Sequence, residues 1–248
     1  MIIIDGDYPM AGGANGLQRD LTLPIENVRA ARPIMDIPAD QSDSNIMASL
    51  PELRRGKIAA AIVKVGACIL RDVHPHGEVR TDAHAYARAQ GEMAYYRILE
   101  TTGEIKLLKT SQDFNKHITA WENDEMFDDL PVGFVLGMEG ADPILWPEQV
   151  SEWYEDGLRV ISLSHYGVSR YSHGTATGTE GGLMDGASTL LKNMESLGMI
   201  LDISHTSDES IRQELELFSG PILSTHQNCR SITPGERQLP DELLRELI

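Results

Sequence analysis

Basic residues are scarce in this chain. It carries 21 Lys and Arg against 38 Asp and Glu, a formal net charge of −17 over 248 residues. Such a surface repels phosphate backbones and anionic headgroups, which argues against nucleic acid or a membrane as partner. Cysteine is almost absent, with only Cys68 and Cys229 and no CxxC pair. That excludes a disulfide scaffold and a cysteine-based zinc site. Long apolar runs are missing too. The N-terminal MIIIDGDYP stops being apolar at Asp5, and no window approaches the ~18 residues of a membrane span. A soluble, cytoplasmic protein is the expectation. Several catalytic signatures are also lacking. The glycine-rich stretch Gly178–Gly182 has neither GxGxxG nor P-loop spacing, and no GxSxG elbow announces a serine hydrolase. Lys64 and Lys109 lie near apolar runs, as a Schiff-base aldolase would need, but without a companion acid pattern.

Hydrophobic residues make up 41% of the chain, enough for a packed core. Apolar runs rich in Ile and Val alternate with segments of helical period. The runs are Ile2–Ile4, Ala59–Ile69, Ile105–Leu108, Val132–Gly137, Arg159–Leu163, Met199–Ile203 and Pro221–Ser224. Several are apolar almost throughout, as strands covered on both faces are. Between them the pattern predicts helices over Asp82–Thr102, Ser111–Trp121, Pro147–Asp156, Asp185–Leu197 and Asp208–Phe218, the last capped by Ser207. Gly157, Gly198 and Gly220 mark where helix gives way to strand. This alternation implies right-handed crossovers and a parallel sheet. At about 250 residues the length suits one (β/α)8 TIM-type barrel. Seven strands are recognisable, and Pro240–Ile248 reads as a helix with no strand after it. The expectation is a single domain over residues 1–248, short of its eighth strand and so C-terminally incomplete. The Pro-, Asp- and Ser-rich stretch Arg29–Ser49 reads as a loop excursion near the mouth of the site.

In such barrels the chemistry sits at the C-terminal strand ends. Val132–Gly137 runs into Glu139. Each of the next three strands ends in a hydroxyl residue followed by histidine: Ser164-His165, Ser204-His205 and Thr225-His226. Each histidine alone could simply cap a strand. Three at matching positions beside a carboxylate form the donor set of a catalytic divalent metal, with a position left for water. Asp5 and Asp7, after the first strand, read equally as turn formers or as cation contacts. His84 and His117 fall in helices, His74 and His76 in a loop, and His173 in a polar loop where it could face substrate.

These strand-end residues carry a family resemblance. LGMEG (136–140), RVISLSH (159–165), LGMILDISHTS (197–207), PILSTHQNCRS (221–231) and ERQLPDELL (236–244) follow one another in the order seen in the membrane (renal) dipeptidase family of zinc metallopeptidases, which these segments resemble. The resemblance implies an amidohydrolase-like barrel, one or two zinc ions, and hydrolysis of dipeptides or similar small amides by metal-activated water. It implies that Glu139 bridges the metals, that His205 and His226 bind the second metal, that His165 contacts substrate and steadies the developing oxyanion, and that Arg237 holds the substrate carboxylate. The family's first strand carries His-x-Asp ligands. Here Asp7 and Pro9 stand in those places, which leaves Asp7 as the one candidate ligand there. The family's last-strand aspartate has no counterpart before Ile248. The implied partner is a small-molecule substrate, with a homodimer left open. Two alternatives remain: a metal-poor barrel that binds a small ligand without turnover, and a related hydrolase of N-acyl amino acids or lactones.

Overall fold

The structure is a computed structural model and describes residues 1–31, 46–71, 78–123, 127–175 and 181–248. The expected loop Arg29–Ser49 falls largely outside these, as do His74, His76 and the first residues of the Gly178–Gly182 stretch. Seven strands are present among the described residues: β1 (Ile3–Tyr8), β2 (Ile58–Val65), β3 (Ile105–Leu107), β4 (Val132–Glu139), β5 (Leu158–Ser162), β6 (Ile200–Asp202) and β7 (Ile222–Leu223). Each overlaps one of the apolar runs in the sequence. The helices are α1 (Met10–Leu17), α2 (Ile25–Ala30), α3 (Leu50–Arg55), α4 (Asp82–Thr101), α5 (Ser111–Asn123), α6 (Val150–Glu155), α7 (Ala187–Ser196), α8 (Asp208–Leu217) and α9 (Asp241–Leu247). No described helix is long and apolar enough to cross a membrane.

The chain divides into two compact units, one of residues 1–64 and 92–136, the other of residues 65–91 and 137–248. In the first, β1 pairs with β2 and β3 with β4, both in parallel. The strands alternate with helices, so each pair needs a crossover, as parallel strands must. β2 is buried along nearly its whole length, including Lys64 at 3% exposure. Phe134 of β4 is fully buried and meets the rings of Tyr8 and Tyr96 edge to face, at 6.4 and 5.8 Å. Each such pair adds ~0.5–1.5 kcal/mol beyond area burial. The Tyr96 hydroxyl also accepts from the Ala11 amide, which ties the start of α1 to this aromatic cluster.

In the second unit β5 pairs with β6 and β6 with β7, again in parallel. The amides of Gly140 and Ala141 donate to Ser162 and Leu163, aligning the end of β4 with the end of β5. Trp153 of α6, fully buried, packs edge to face with Tyr86 of α4. Ser207 caps α8: its Oγ accepts from the Ser210 amide at 3.2 Å, with Asp208 and Glu209 in the first turn. A hydroxyl acceptor and early acidic residues both suit a helix N-terminus. The cap starts α8 two residues after His205 and so pins the turn that carries this histidine.

Two strands run further than their apolar cores suggest. β1 continues through Asp5-Gly6-Asp7 to Tyr8, which pairs with Val63 of β2 after a register shift beyond Asp5. Asp7 is therefore a strand residue, not a turn residue. β4 continues to Glu139, which is its last residue.

Candidate metal centre

The second unit gathers four of the residues singled out from sequence: Glu139 from β4, His165 beyond β5, His205 beyond β6 and His226 beyond β7. Each sits at or just beyond the end of a parallel strand, so the strands fix the spacing of the side chains. His226 Nε2 lies 2.9 Å from His205 Nε2 and 3.2 Å from Glu139 Oε1, and His205 Nε2 lies 3.4 Å from the same oxygen. His165 Nε2 stands 3.8 Å from Glu139 Oε2. The His165 and His205 rings are 4.3 Å apart.

The backbone is shaped to make this possible. Gly140 turns with φ +80° directly after Glu139, a region an L side chain rarely adopts. His205 itself has φ +66°, in the left-handed region where non-glycine residues are strained. The His205 carbonyl accepts from the Thr175 amide at 2.8 Å, which helps to hold that conformation.

The electrostatics favour neutral imidazoles. Burial, reinforced by His165 and Arg237, pushes His205 down to about 2, against the opposing pull of Glu139. Burial also lowers His165, again opposed by Glu139. Both rings thus offer nitrogen lone pairs at neutral pH, the form that binds metal. The Glu139 carboxylate supplies charge. The donor set fits a divalent cation: ligand atoms ~2.1 Å from a tetrahedral zinc stand roughly 3.4 Å from one another. The triangle of His205, His226 and Glu139 has sides close to that value. The Nδ1 of His205 is buried and has no hydrogen-bond partner among the described residues.

Arg237 lies on the segment beyond β7. Its Nη2 donates to the His226 carbonyl at 2.9 Å, while Nη1 has no partner among the described residues. The segment is held by Arg230, which clamps Asp208 at 2.6 and 2.7 Å and donates to the Gln238 carbonyl. The remaining candidate, Asp7, belongs to the first unit. Its Oδ1 is 3.5 Å from Nζ of the buried Lys64.

Residues that the sequence did not single out complete the surroundings. Cys68 Sγ is 3.4 Å from His165 Nδ1. Burial, and then the Asp142 carboxylate, push this thiol far above its ordinary range. Asp142, 1% exposed, accepts from the Ile69 amide and from Arg71, fixing the segment that carries Cys68. Asp202, at the end of β6, had no signal of its own in the sequence; it lies beside Thr225, which the hydroxyl-histidine pairs had marked.

Parallel strands alternating with helices, with imidazoles and a carboxylate converging at consecutive strand ends, make this an α/β protein with a candidate metal-binding site. The family model described as membrane dipeptidase, peptidase family M19, matches residues 19–248. The chain belongs to that family. Among curated relatives, dipeptidase verJ of Clonostachys rogersoniana is 28% identical over 171 residues, covering 66% of this chain and 44% of the relative. Dipeptidase aclJ of Aspergillus oryzae is 30% identical over 119 residues, covering 47% and 28%. The chain thus spans less than half the length of these relatives. Among solved structures, the probable dipeptidase PvdM of Pseudomonas aeruginosa superposes with a TM-score of 0.71 at 16% identity, over 100% of this chain and 57% of that one. A metallopeptidase of Rhodobacter sphaeroides, liganded with a phosphinate mimic of the dipeptide L-Ala-D-Ala, gives 0.73 at 16% identity, over 100% and 71%. These likenesses establish the shared α/β fold.

Proposed function

We propose that this chain is a metal-dependent hydrolase of dipeptides or similar small amides, and that its metal is zinc. The observation that carries the proposal is the convergence of His205 Nε2, His226 Nε2 and Glu139 Oε1 within 2.9–3.4 Å of one another. The relatives named dipeptidases and the neighbour bound to a dipeptide mimic support the substrate class.

In this reading Glu139, His205 and His226 hold one cation tightly. When bound, such a cation acidifies water and polarises a carbonyl oxygen. His165, neutral at pH 7, lies beside Glu139 and donates a hydrogen bond to the carbonyl oxygen as charge develops there. Arg237 offers its unused Nη1 to the carboxylate at the far end of a dipeptide, which sets the substrate's direction. Asp7 is the further ligand that the sequence adds. Its carboxylate faces the Lys64 ammonium, so a cation at Asp7 has to displace that charge and is held weakly.

The test is hydrolysis of a panel of dipeptides, N-acyl amino acids and lactones by the chain before and after chelation. Expected is dipeptide turnover that a chelator abolishes and zinc restores. A zinc-loaded chain that turns over none of the dipeptides contradicts the proposal.

A further inference from the structure

The two histidines of the candidate centre are supported very differently. His205 Nδ1 is buried without a partner among the described residues. His226 Nδ1 lies 2.9 Å from Thr225 Oγ1, at the end of a buried chain of hydrogen bonds that begins at Asp202. Asp202, the last residue of β6, is fully buried. Its Oδ1 accepts from the amides of Ser204 and Thr225 at 3.0 and 3.3 Å, and its Oδ2 from the Thr225 hydroxyl at 2.7 Å. The other acid nearby, Glu214 of α8, is equally buried and has no hydrogen-bond partner for either oxygen among the described residues. Burial and the Asp202 charge push Glu214 well above its ordinary range. Of the two acids, Asp202 is the one whose oxygens meet hydrogen-bond donors.

Proton accounting then fixes each group. A hydroxyl has one hydrogen. Thr225 spends it on the Asp202 carboxylate, its shortest contact. Ser204 Oγ accepts from the amides of Thr225 and His226 at 3.0 and 3.2 Å, so its own hydrogen points to Thr225 Oγ1 at 3.1 Å. With its hydrogen on Asp202, Thr225 Oγ1 is an acceptor for the imidazole, an arrangement that puts the His226 proton on Nδ1 and leaves the lone pair on Nε2.

We propose that Asp202 and Thr225 are positioning residues that lock His226 in the Nδ1–H tautomer, so that Nε2 is ready for a divalent cation before one arrives. This rests on the metal site proposed above. Carboxylate or hydroxyl partners behind a ligating imidazole fix its tautomer and orientation, and their loss costs about 10–100-fold in metal affinity. The role is asymmetric: His226 is preset, whereas His205 has to find its tautomer when the cation binds.

Three variants of the full chain test this, each read by zinc affinity in a competition titration and by imidazole nitrogen resonances of the metal-free protein. Thr225→Val keeps the shape and removes the hydroxyl; about a 10–100-fold loss of zinc affinity is expected, with His226 in mixed tautomers. Thr225→Ser restores the hydroxyl and should restore both readouts. Asp202→Asn replaces an acceptor by an amide donor. That turns the Thr225 hydroxyl toward His226 Nδ1 and moves the imidazole proton to Nε2, so its loss should be at least as large. Wild-type affinity in Thr225→Val, or an Nε2–H tautomer of His226 in the unmodified metal-free protein, overturns the proposal. A protein that binds no zinc overturns the metal site instead, and the Nδ1–H resonance of His226 in that protein still upholds the hydrogen-bond chain.

Discussion

Two strand-end carboxylates of this protein, Asp7 in the first unit and Glu139 in the second, face opposite kinds of partner. Asp7 lies against a buried ammonium, Lys64, only 3% exposed. Glu139 lies against imidazoles, two of which burial keeps neutral at pH 7. Both side chains are nearly buried, at 17% and 15% exposure, so the difference lies in chemistry and not in depth. An ammonium is a fixed positive charge supplied by the chain. Neutral imidazoles add lone pairs and no charge, and a carboxylate among them favours a cation from outside. The first arrangement is an ion pair within the chain; the second is suited to a cation from the medium. Strand-end acids therefore have to be read together with the groups beside them.

Lys64 is where the largest effect is expected. Replacing it by Met leaves the nearly buried Asp7 carboxylate without its ammonium, and removal of one partner from a buried pair costs about 3 kcal/mol. Urea unfolding should show this loss, and the double variant Lys64→Met/Asp7→Asn should recover much of it. A Lys64→Met protein as stable as the parent shows that the pair is not structural.

A smaller effect comes from the second unit on acidification. His205 is held near 2 in the folded chain and returns to about 6.5 on unfolding. Its folded value is the depressed one, so the unfolded state takes up the proton first as pH falls. Stability is full above about pH 6.5 and declines below it, by about 2 kcal/mol at pH 5 for this one group. Burial lowers His165 and His117 as well, in the same direction. Chelator-treated protein unfolded in urea at pH 7 and pH 5 gives the slope, and His205→Asn should flatten it in part. Equal stability of the parent chain at the two pH values contradicts the neutral-imidazole picture.

Much of this was legible in the sequence, and the reasons are physical. Strands covered on both faces need continuous apolar runs, which is why VGFVLG and MILDI announced β4 and β6. The hydroxyl-histidine pairs stood out because a strand end repeats its local geometry, and they led to His165, His205 and His226. The short helices α1, α2 and α3 left no such signal. α1 (MAGGANGL) holds three glycines and no side-chain cap, and the buried Tyr96 hydroxyl, 85 residues away, meets its first turn. The contact between Cys68 and His165 spans 97 residues and follows from packing, not from any local pattern. The hydroxyls of Ser204 and Thr225 were noticed as neighbours of histidine. Their connection to Asp202 appears only when β6 and β7 lie side by side.

If Glu139, His205 and His226 hold one cation, the zinc content of dialysed protein decides it, compared among the parent chain, Asp7→Asn and His205→Ala, with circular dichroism to verify folding. One tightly held zinc is expected in the parent and in Asp7→Asn, and none in a folded His205→Ala protein. Stoichiometric zinc retained by His205→Ala would contradict it.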